Sequence, residues 1–197
     1  MLDLVRVYSV SLQQQQQTDP SYSLLMASHE HHHHQLDTKE PPKPLQYADR
    51  IERGLHLGSI HAMTELSIQE DDFQSSWCVL TVLTNEELQG RTLPPATARH
   101  LIIRANDVDC EDLYSHFDLA HAFITDARSR GMRVLVHCRG GVSRSATMVA
   151  AHLMMQHQMT WHEAIDKIRK SRRCVQPNPG FVTQLKALNT RLGLASG

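Results

Sequence analysis

Apolar positions change period several times along this chain. "WCVLTVL", Trp77 to Leu83, is a continuous apolar run of strand length, and "HLIIR", His100 to Arg104, and "RVLVH", Arg133 to His137, are two more. A shorter apolar stretch lies in "GLHLGS", Gly54 to Ser59. Between the second and third runs, Leu113, Phe117, Ala120, Ile124 and Ala127 recur at spacings of three and four, which predicts a helix with one apolar face. Ala146, Val149, Ala150, Leu153 and Met154 trace the stripe of a helix that follows the third strand. Thr160 with Glu163 forms a capping-box signature ahead of Trp161, Ala164, Ile165 and Ile168. Asn178 as N-cap and Pro179 at the first helical position open a last helix, with Phe181, Leu185, Leu188 and Leu192 inward. Strands alternating with helices predict an α/β fold, a mostly parallel central sheet covered by helices on both faces.

The first 45 residues lack such patterning. "QQQQQ" at Gln13 to Gln17, "HEHHHHQ" around His31 to His34 and "KEPPKPL" up to Leu45 predict a disordered low-complexity tail over 1–45, because polar tracts bury too little apolar surface to offset their ordering entropy. A globular domain is expected over 46–192, with 193–197 as a short tail. Of 197 residues, 41% are hydrophobic, enough for one medium core. The net charge of −1 gives no basic excess of the kind nucleic-acid binders carry, so no nucleic-acid partner is expected. No apolar run reaches bilayer-spanning length, so no membrane span is expected, and the sequence carries no signal of oligomeric state. The start "MLDLVRVYSV" lacks a signal-peptide pattern, which points to a cytoplasmic and/or nuclear protein. Cys78, Cys110, Cys138 and Cys174 are widely spaced with no C-x-x-C pair, so neither a disulfide framework nor a metal site is expected.

One junction combines unusual residue types. "VLVHCRGGVSRSAT", Val134 to Thr147, runs from a buried strand through two glycines into a helix start, an arrangement suited to an anion. Cys138 at the strand end faces loop N–H groups and the positive end of the helix dipole; such surroundings bring a thiol from about 8.5 toward roughly 3.5–7.5 and make it a nucleophile. Gly140 and Gly141 let the loop curl with its donors inward. Arg144 offers a planar fork to two oxygens of the same anion.

"HCRGGVSRS" resembles the His-Cys-x5-Arg-Ser/Thr signature of cysteine-dependent phosphatases, and closely that of the small atypical dual-specificity phosphatases. "IERGLHLGS", "VLTVLTNEE" and "PNPGFVTQL" resemble further segments of that family, so the likeness covers roughly Tyr47 to Leu192. The resemblance implies the cysteine-phosphatase fold, a phosphorylated protein as partner, and no cofactor. It makes Cys138 the nucleophile that forms a phosphocysteine and Arg144 the clamp on the phosphoryl oxygens. The loop from Arg139 through Gly140, Gly141, Val142 and Ser143 to Arg144 binds the phosphate. His137 supports the loop behind Cys138, and Ser145 donates a hydrogen bond to the sulfur as it leaves. Rhodanese-like sulfurtransferases use a similar loop, typically one residue shorter. The compact domain implies a shallow cleft open to phosphoserine and phosphothreonine as well as phosphotyrosine. Inositol-lipid or RNA 5′-phosphates are the alternatives within the superfamily.

The leaving oxygen needs a proton, and the candidates lie in "NDVDCEDL". Family members place an aspartate about thirty residues before the cysteine and six ahead of a helix-opening leucine, which selects Asp107 with Leu113; Asp109 is the runner-up, and Asp112 caps or charges the helix start. Relatives often carry serine or proline soon after the aspartate, where this loop reads Val108, Asp109, Cys110. A loop set wrongly for turnover would leave a phosphate-binding scaffold, the alternative of a different class. Cys110 is a loop thiol with no assigned role, its alternative being a resolving partner for Cys138. The basic run "KIRKSRR", Lys167 to Arg173, reads as cations near a helix C-terminus, with a docking site for acidic partners as the other reading.

Overall fold

A computed structural model describes residues 46–68, 77–91 and 97–194. The low-complexity tail expected over 1–45 lies outside the described residues, as do positions 195–197. Five strands form one sheet in the order β1-β2-β5-β3-β4: β1 Ala48–Glu52, β2 Leu55–Gly58, β3 Trp77–Leu83, β4 Thr97–Arg104 and β5 Arg133–His137. β1 pairs antiparallel with β2, and every other pairing is parallel. The helices are α1 Ile60–Ile68, α2 Asn85–Leu88, α3 Phe117–Ser129, α4 Arg144–His157, α5 Trp161–Ser171 and α6 Pro179–Arg191.

β3 is buried along its whole length, which is why it reads as an unbroken apolar run and not as an alternation. Its pleat still divides it. Cys78, Leu80 and Val82 face the main core together with Val134 and Val136 of β5, while Trp77 and Val79 join Leu135 under Ala62 and Leu66 of α1. Helices therefore cover both faces, α1 on one and α3 to α6 on the other.

Two local expectations need correction. The helix read from Leu113 starts at Phe117, after a single 3₁₀ turn at Tyr114–His116; Leu113 packs into the core from ahead of that turn. Asp112 Oδ1 accepts from Ser115 N–H at 3.1 Å and fixes the turn. α4 buries the five apolar positions expected and more, since every residue from Arg144 to Met154 is buried. It runs between the sheet and three other helices, so even His152 and Thr147 are enclosed. Leu192 is half-buried at the C-cap of α6, not fully inward. α5 and α6 start as expected: Thr160 and Glu163 make both bonds of the capping box, and Asn178 Oδ1 accepts from Phe181 N–H ahead of Pro179.

The parallel register sets the site. Gly58 and Thr81 both lie opposite His137, so β2 and β5 end together and β3 runs two residues beyond them. Ligands of open parallel sheets bind beyond those carboxyl ends. Among the described residues, no helix is long and apolar enough to cross a membrane.

Candidate active site

Cys138 leaves β5 almost fully buried, and its Sγ accepts two hydrogen bonds, from Gly141 N–H at 3.2 Å and Ser145 Oγ at 3.1 Å. The following loop is shaped from outside. The carbonyl of Cys138 accepts from His137 Nδ1 at 3.4 Å, and that of Arg139 from Ile60 N–H at 3.2 Å. Those of Gly140 and Gly141 accept from Arg172 Nη2 at 3.0 Å and Nε at 2.8 Å, and that of Val142 from Gln176 N–H at 2.9 Å. In a trans peptide the N–H opposes the C=O, so five outward carbonyls turn the N–H groups of residues 139–143 toward the sulfur side. The result is a nest for an anion.

Gly141 is required there: its φ is +68°, and a Cβ would lie 2.5 Å from the carbonyl oxygen of Gly58. Gly140 is not so constrained, since a Cβ there meets only Val142 Cγ2 at 3.5 Å. The basic run also does more than favour a helix end. Arg172, the C-cap of α5, grips two loop carbonyls and pairs with Asp49 of β1 at 2.7 Å.

His137 is fully buried and bridged to β4 through Thr81. Thr81 Oγ1 lies 2.7 Å from both His137 Nε2 and His100 Nε2. The carbonyl of Cys138 needs a donor, so His137 carries its proton on Nδ1; Nε2 then accepts from Thr81, which accepts from His100. Burial is the main cause that pushes His137 down to about 4, so the imidazole stays neutral near pH 7.

Arg144 is 3% exposed, and its fork is divided. Nη1 and Nη2 donate to the Glu87 carboxylate at 2.6 and 2.9 Å, and the second Nη1 proton goes to the carbonyl of Ala105 at 2.9 Å. Nε is buried with no hydrogen-bond partner. The Nε–H and the remaining Nη2 proton lie on one edge of the guanidinium, free to take two oxygens of an oxyanion. Burial alone would lower Arg144, but the Glu87 bond and nearby negative groups hold it above its ordinary value. Glu87 is held low in turn, chiefly by that same bond.

The pocket in front of Cys138 has a volume of about 490 Å³; Thr84, Glu87, Asp107, Val108, Arg139 and Arg144 are among its lining residues. Asp107 Oδ1 accepts from Ser143 Oγ at 2.7 Å and Asn178 Nδ2 at 3.0 Å, and Oδ2 lies 3.6 Å from Arg144 Nε. Asp109 does not line the pocket. All four cysteines are free, with Cys110 and Cys174 exposed. Among the described residues no cluster of three or more His, Cys, Asp or Glu is arranged to hold a metal ion.

Glu87, Arg172 and Asn178 were not legible as site residues. Each carries a local signal that points elsewhere: a capping box with Thr84, a cation at a helix end and an N-cap. Glu87→Gln keeps the capping reach but removes the charge opposite Arg144, and is expected to lower kcat/KM about tenfold. Glu87→Ala leaves Arg144 buried without its counter-ion and is expected to cost about 100-fold or more. Steady-state kinetics on both variants checks the order, and equal rates would mean that Glu87 serves only the cap.

Residues 57–191 match the family model described as dual specificity phosphatase, catalytic domain, and the chain belongs to that family. It is 39% identical over 151 residues to dual specificity protein phosphatase 26 of Bos taurus, covering 74% of this chain and 69% of that protein. It is 44% identical over 96 residues to MAP kinase phosphatase with leucine-rich repeats protein 2 of Dictyostelium discoideum; that match takes in 49% of this chain but only 14% of the relative's length. Among solved structures, it resembles the human tyrosine phosphatase-like serine/threonine/tyrosine-interacting protein with a TM-score of 0.65 and 26% identity, covering 73% of this chain and 96% of that one.

Proposed function

We propose that this chain is a protein phosphatase that hydrolyses phosphotyrosine and phosphoserine or phosphothreonine through a phosphocysteine. The observation that carries the proposal is Cys138 Sγ at the base of the pocket, with hydrogen bonds from Gly141 N–H and Ser145 Oγ aimed at it. Membership of the dual specificity phosphatase family supports it.

In the first step the inward N–H groups and the free edge of Arg144 hold the phosphoryl oxygens, and Cys138 Sγ attacks phosphorus. The S–P bond forms as the P–O bond to the substrate breaks, and protonated Asp107 gives its proton to the departing oxygen. In the second step water attacks phosphorus and passes a proton to Asp107. The S–P bond breaks, phosphate leaves, and Ser145 donates to the sulfur as its charge returns. Every step is assigned to a side chain of this chain and none calls for a metal. A cytoplasmic or nuclear setting, where thiols stay reduced, suits this chemistry.

The test is phosphate release from phosphotyrosine, phosphoserine and phosphothreonine peptides, an inositol phospholipid and triphosphate RNA, in excess chelator. Peptide turnover is the expected result. Peptide binding without release would favour a phosphate-binding scaffold, and preference for the lipid or RNA would replace the protein substrate. Asp107→Asn is expected to show a graded loss. It is largest for phosphoserine and phosphothreonine, which leave as alkoxides, smaller for phosphotyrosine, whose phenol has a pKa of about 10, and least for nitrophenyl phosphate. Asp109→Asn shows no gradient. The opposite pattern would shift the acid by two residues.

A further inference from the structure

The two carboxyl oxygens of Asp107 are in different company. Oδ1 accepts two hydrogen bonds, from Ser143 Oγ and Asn178 Nδ2, whereas Oδ2 has only Arg144 Nε nearby, at 3.6 Å. Both donors to Oδ1 are helix N-caps, and both are used unusually. Ser143 is the N-cap of α4, yet its side chain makes no capping bond; it forgoes an interaction ordinarily worth about 1 kcal/mol. Its hydroxyl instead donates to Asp107 and accepts from Asn178 N–H at 3.1 Å. Asn178 caps α6 with Oδ1, which accepts from Phe181 N–H at 2.9 Å. That bond fixes the amide orientation, since only the oxygen can accept, and so turns the Nδ2 donor toward Asp107.

The same helix holds the rest of the loop. A Cβ on Gly180 would lie 1.9 Å from the carbonyl oxygen of Asp109, so the loop backbone rests directly on the first turn of α6. Gln184, one turn further, accepts from Leu113 N–H at 2.9 Å and Tyr114 N–H at 2.7 Å and donates to the carbonyl of Glu111 at 2.7 Å. Asn178, Gly180 and Gln184 thus meet Asp107, Asp109 and the stretch from Glu111 to Tyr114 in succession.

We infer that the first two turns of α6 position the general acid: Asn178, with Ser143, anchors Asp107 Oδ1 so that Oδ2 is the oxygen that delivers the proton. The inference rests on the reading of Asp107 as the acid. Anchoring one oxygen removes the rotation that would aim the protonated oxygen away from the substrate. Misplacement by an ångström is costly where proton transfer is part of the barrier. α6 therefore matters most for substrates with poor leaving groups, the alkyl phosphates of phosphoserine and phosphothreonine. Neither Asn178 nor Gln184 touches the reacting atoms; both are positioning residues.

Asn178→Ser keeps a good N-cap acceptor and removes the amide donor. Its kcat/KM is expected to fall about tenfold for a phosphothreonine peptide and about twofold for nitrophenyl phosphate. In an Asp107→Asn background the same change is expected to cost less than about twofold with either substrate, because the group it positions is already gone. Thermal unfolding checks that α6 stays folded. If Asn178→Ser fails to fold, Ser143→Ala removes the other donor to Oδ1, and the acceptor of Asn178 N–H with it, while the Asn178 cap bond to Phe181 is kept, and the same gradient is expected. Equal losses for both substrates, or an undiminished loss in the Asp107→Asn background, would overturn the inference and leave Asn178 a cap alone. Absence of a gradient in Asp107→Asn itself would instead remove Asp107 as the acid, and the inference with it.

Discussion

Cys138→Ser is expected to hydrolyse an aryl phosphate at least about 1,000-fold more slowly than the wild-type chain, a rise in barrier of roughly 4 kcal/mol or more. The size of the loss follows from the nucleophile. A thiolate attacks phosphorus directly, whereas a serine hydroxyl must first give up its proton, and the two groups directed at Sγ, Gly141 N–H and Ser145 Oγ–H, are both donors that cannot take it. The same two donors fit a hydroxyl oxygen, so the loop keeps its shape. The outward ties of its carbonyls to Ile60, Arg172 and Gln176 do not involve the sulfur. Phosphopeptide binding is therefore expected to survive while turnover is lost. Rate measurements on purified variant, paired with a binding titration, check both. Turnover above about 1% of wild type would rule out attack by the sulfur, and loss of both binding and folding would mean that the thiol is a packing group.

The loop after Cys138 stood out as a candidate because its residues are contiguous. Cys138, the two glycines, Arg144 and Ser145 follow one another in eight residues, and the strand before them and helix after them have strong local signals. Beyond His137, what holds that loop was not legible, because it arrives from separate segments of the chain. Ile60 belongs to α1, whose buried positions Ala62, Met63 and Leu66 are too few for a clear period, and Asp49 belongs to β1, a half-polar edge strand. Arg172 and Glu87 carry signals that local structure already explains, so only the tertiary fold reveals their second task. Asp107 against Asp109 was a question of two residues in a loop. The geometry supports the first, since Asp107 lines the pocket and is reached by the amide that caps α6, whereas Asp109 lies outside the lining with its backbone against Gly180. α4 was legible as a helix with its five inward residues, but not its full burial: a helix enclosed on every side needs no polar face, so Thr147 and His152 are buried beside the apolar positions.

Stability is expected to fall steeply as pH drops from 6.5 toward about 4, with an onset above the range in which carboxylates titrate. Three histidines drive this loss, His137 and His152 buried and His56 half-buried. His56 and His137 are pushed down to about 4 and His152 to about 3, in each case first by burial. Positive neighbours add to it: Arg133 and Arg50 beside His56, His100 beside His137, and His121 and Arg128 beside His152. The sign follows from proton counting. In the unfolded chain each imidazole takes up a proton near about 6.5, while in the folded chain it stays neutral to the lower value, so the unfolded state binds more protons and gains as pH falls. Each histidine contributes a slope of up to about 1.4 kcal/mol per pH unit across that window, and all of the contribution is present above it. Glu87 and Glu52, both held below the ordinary glutamate range, add to the loss once pH falls below the ordinary glutamate value, and their contribution is gone below their lowered values. Urea unfolding at closely spaced pH values from 7.5 to 4.5 reads the slope, and a flat midpoint across pH 6.5 to 5 would show that the histidines take up protons in the folded state. His152→Gln, far from the phosphate loop, is expected to flatten the slope by one histidine's share. His137 ties this stability to function, because its neutral Nε2 accepts from Thr81 while its Nδ1 holds the carbonyl of Cys138. A second proton on that ring would reverse the bond to Thr81. The support behind Cys138 and the fold thus draw on the same neutral imidazole, and activity on the acid side is expected to fall with folded fraction.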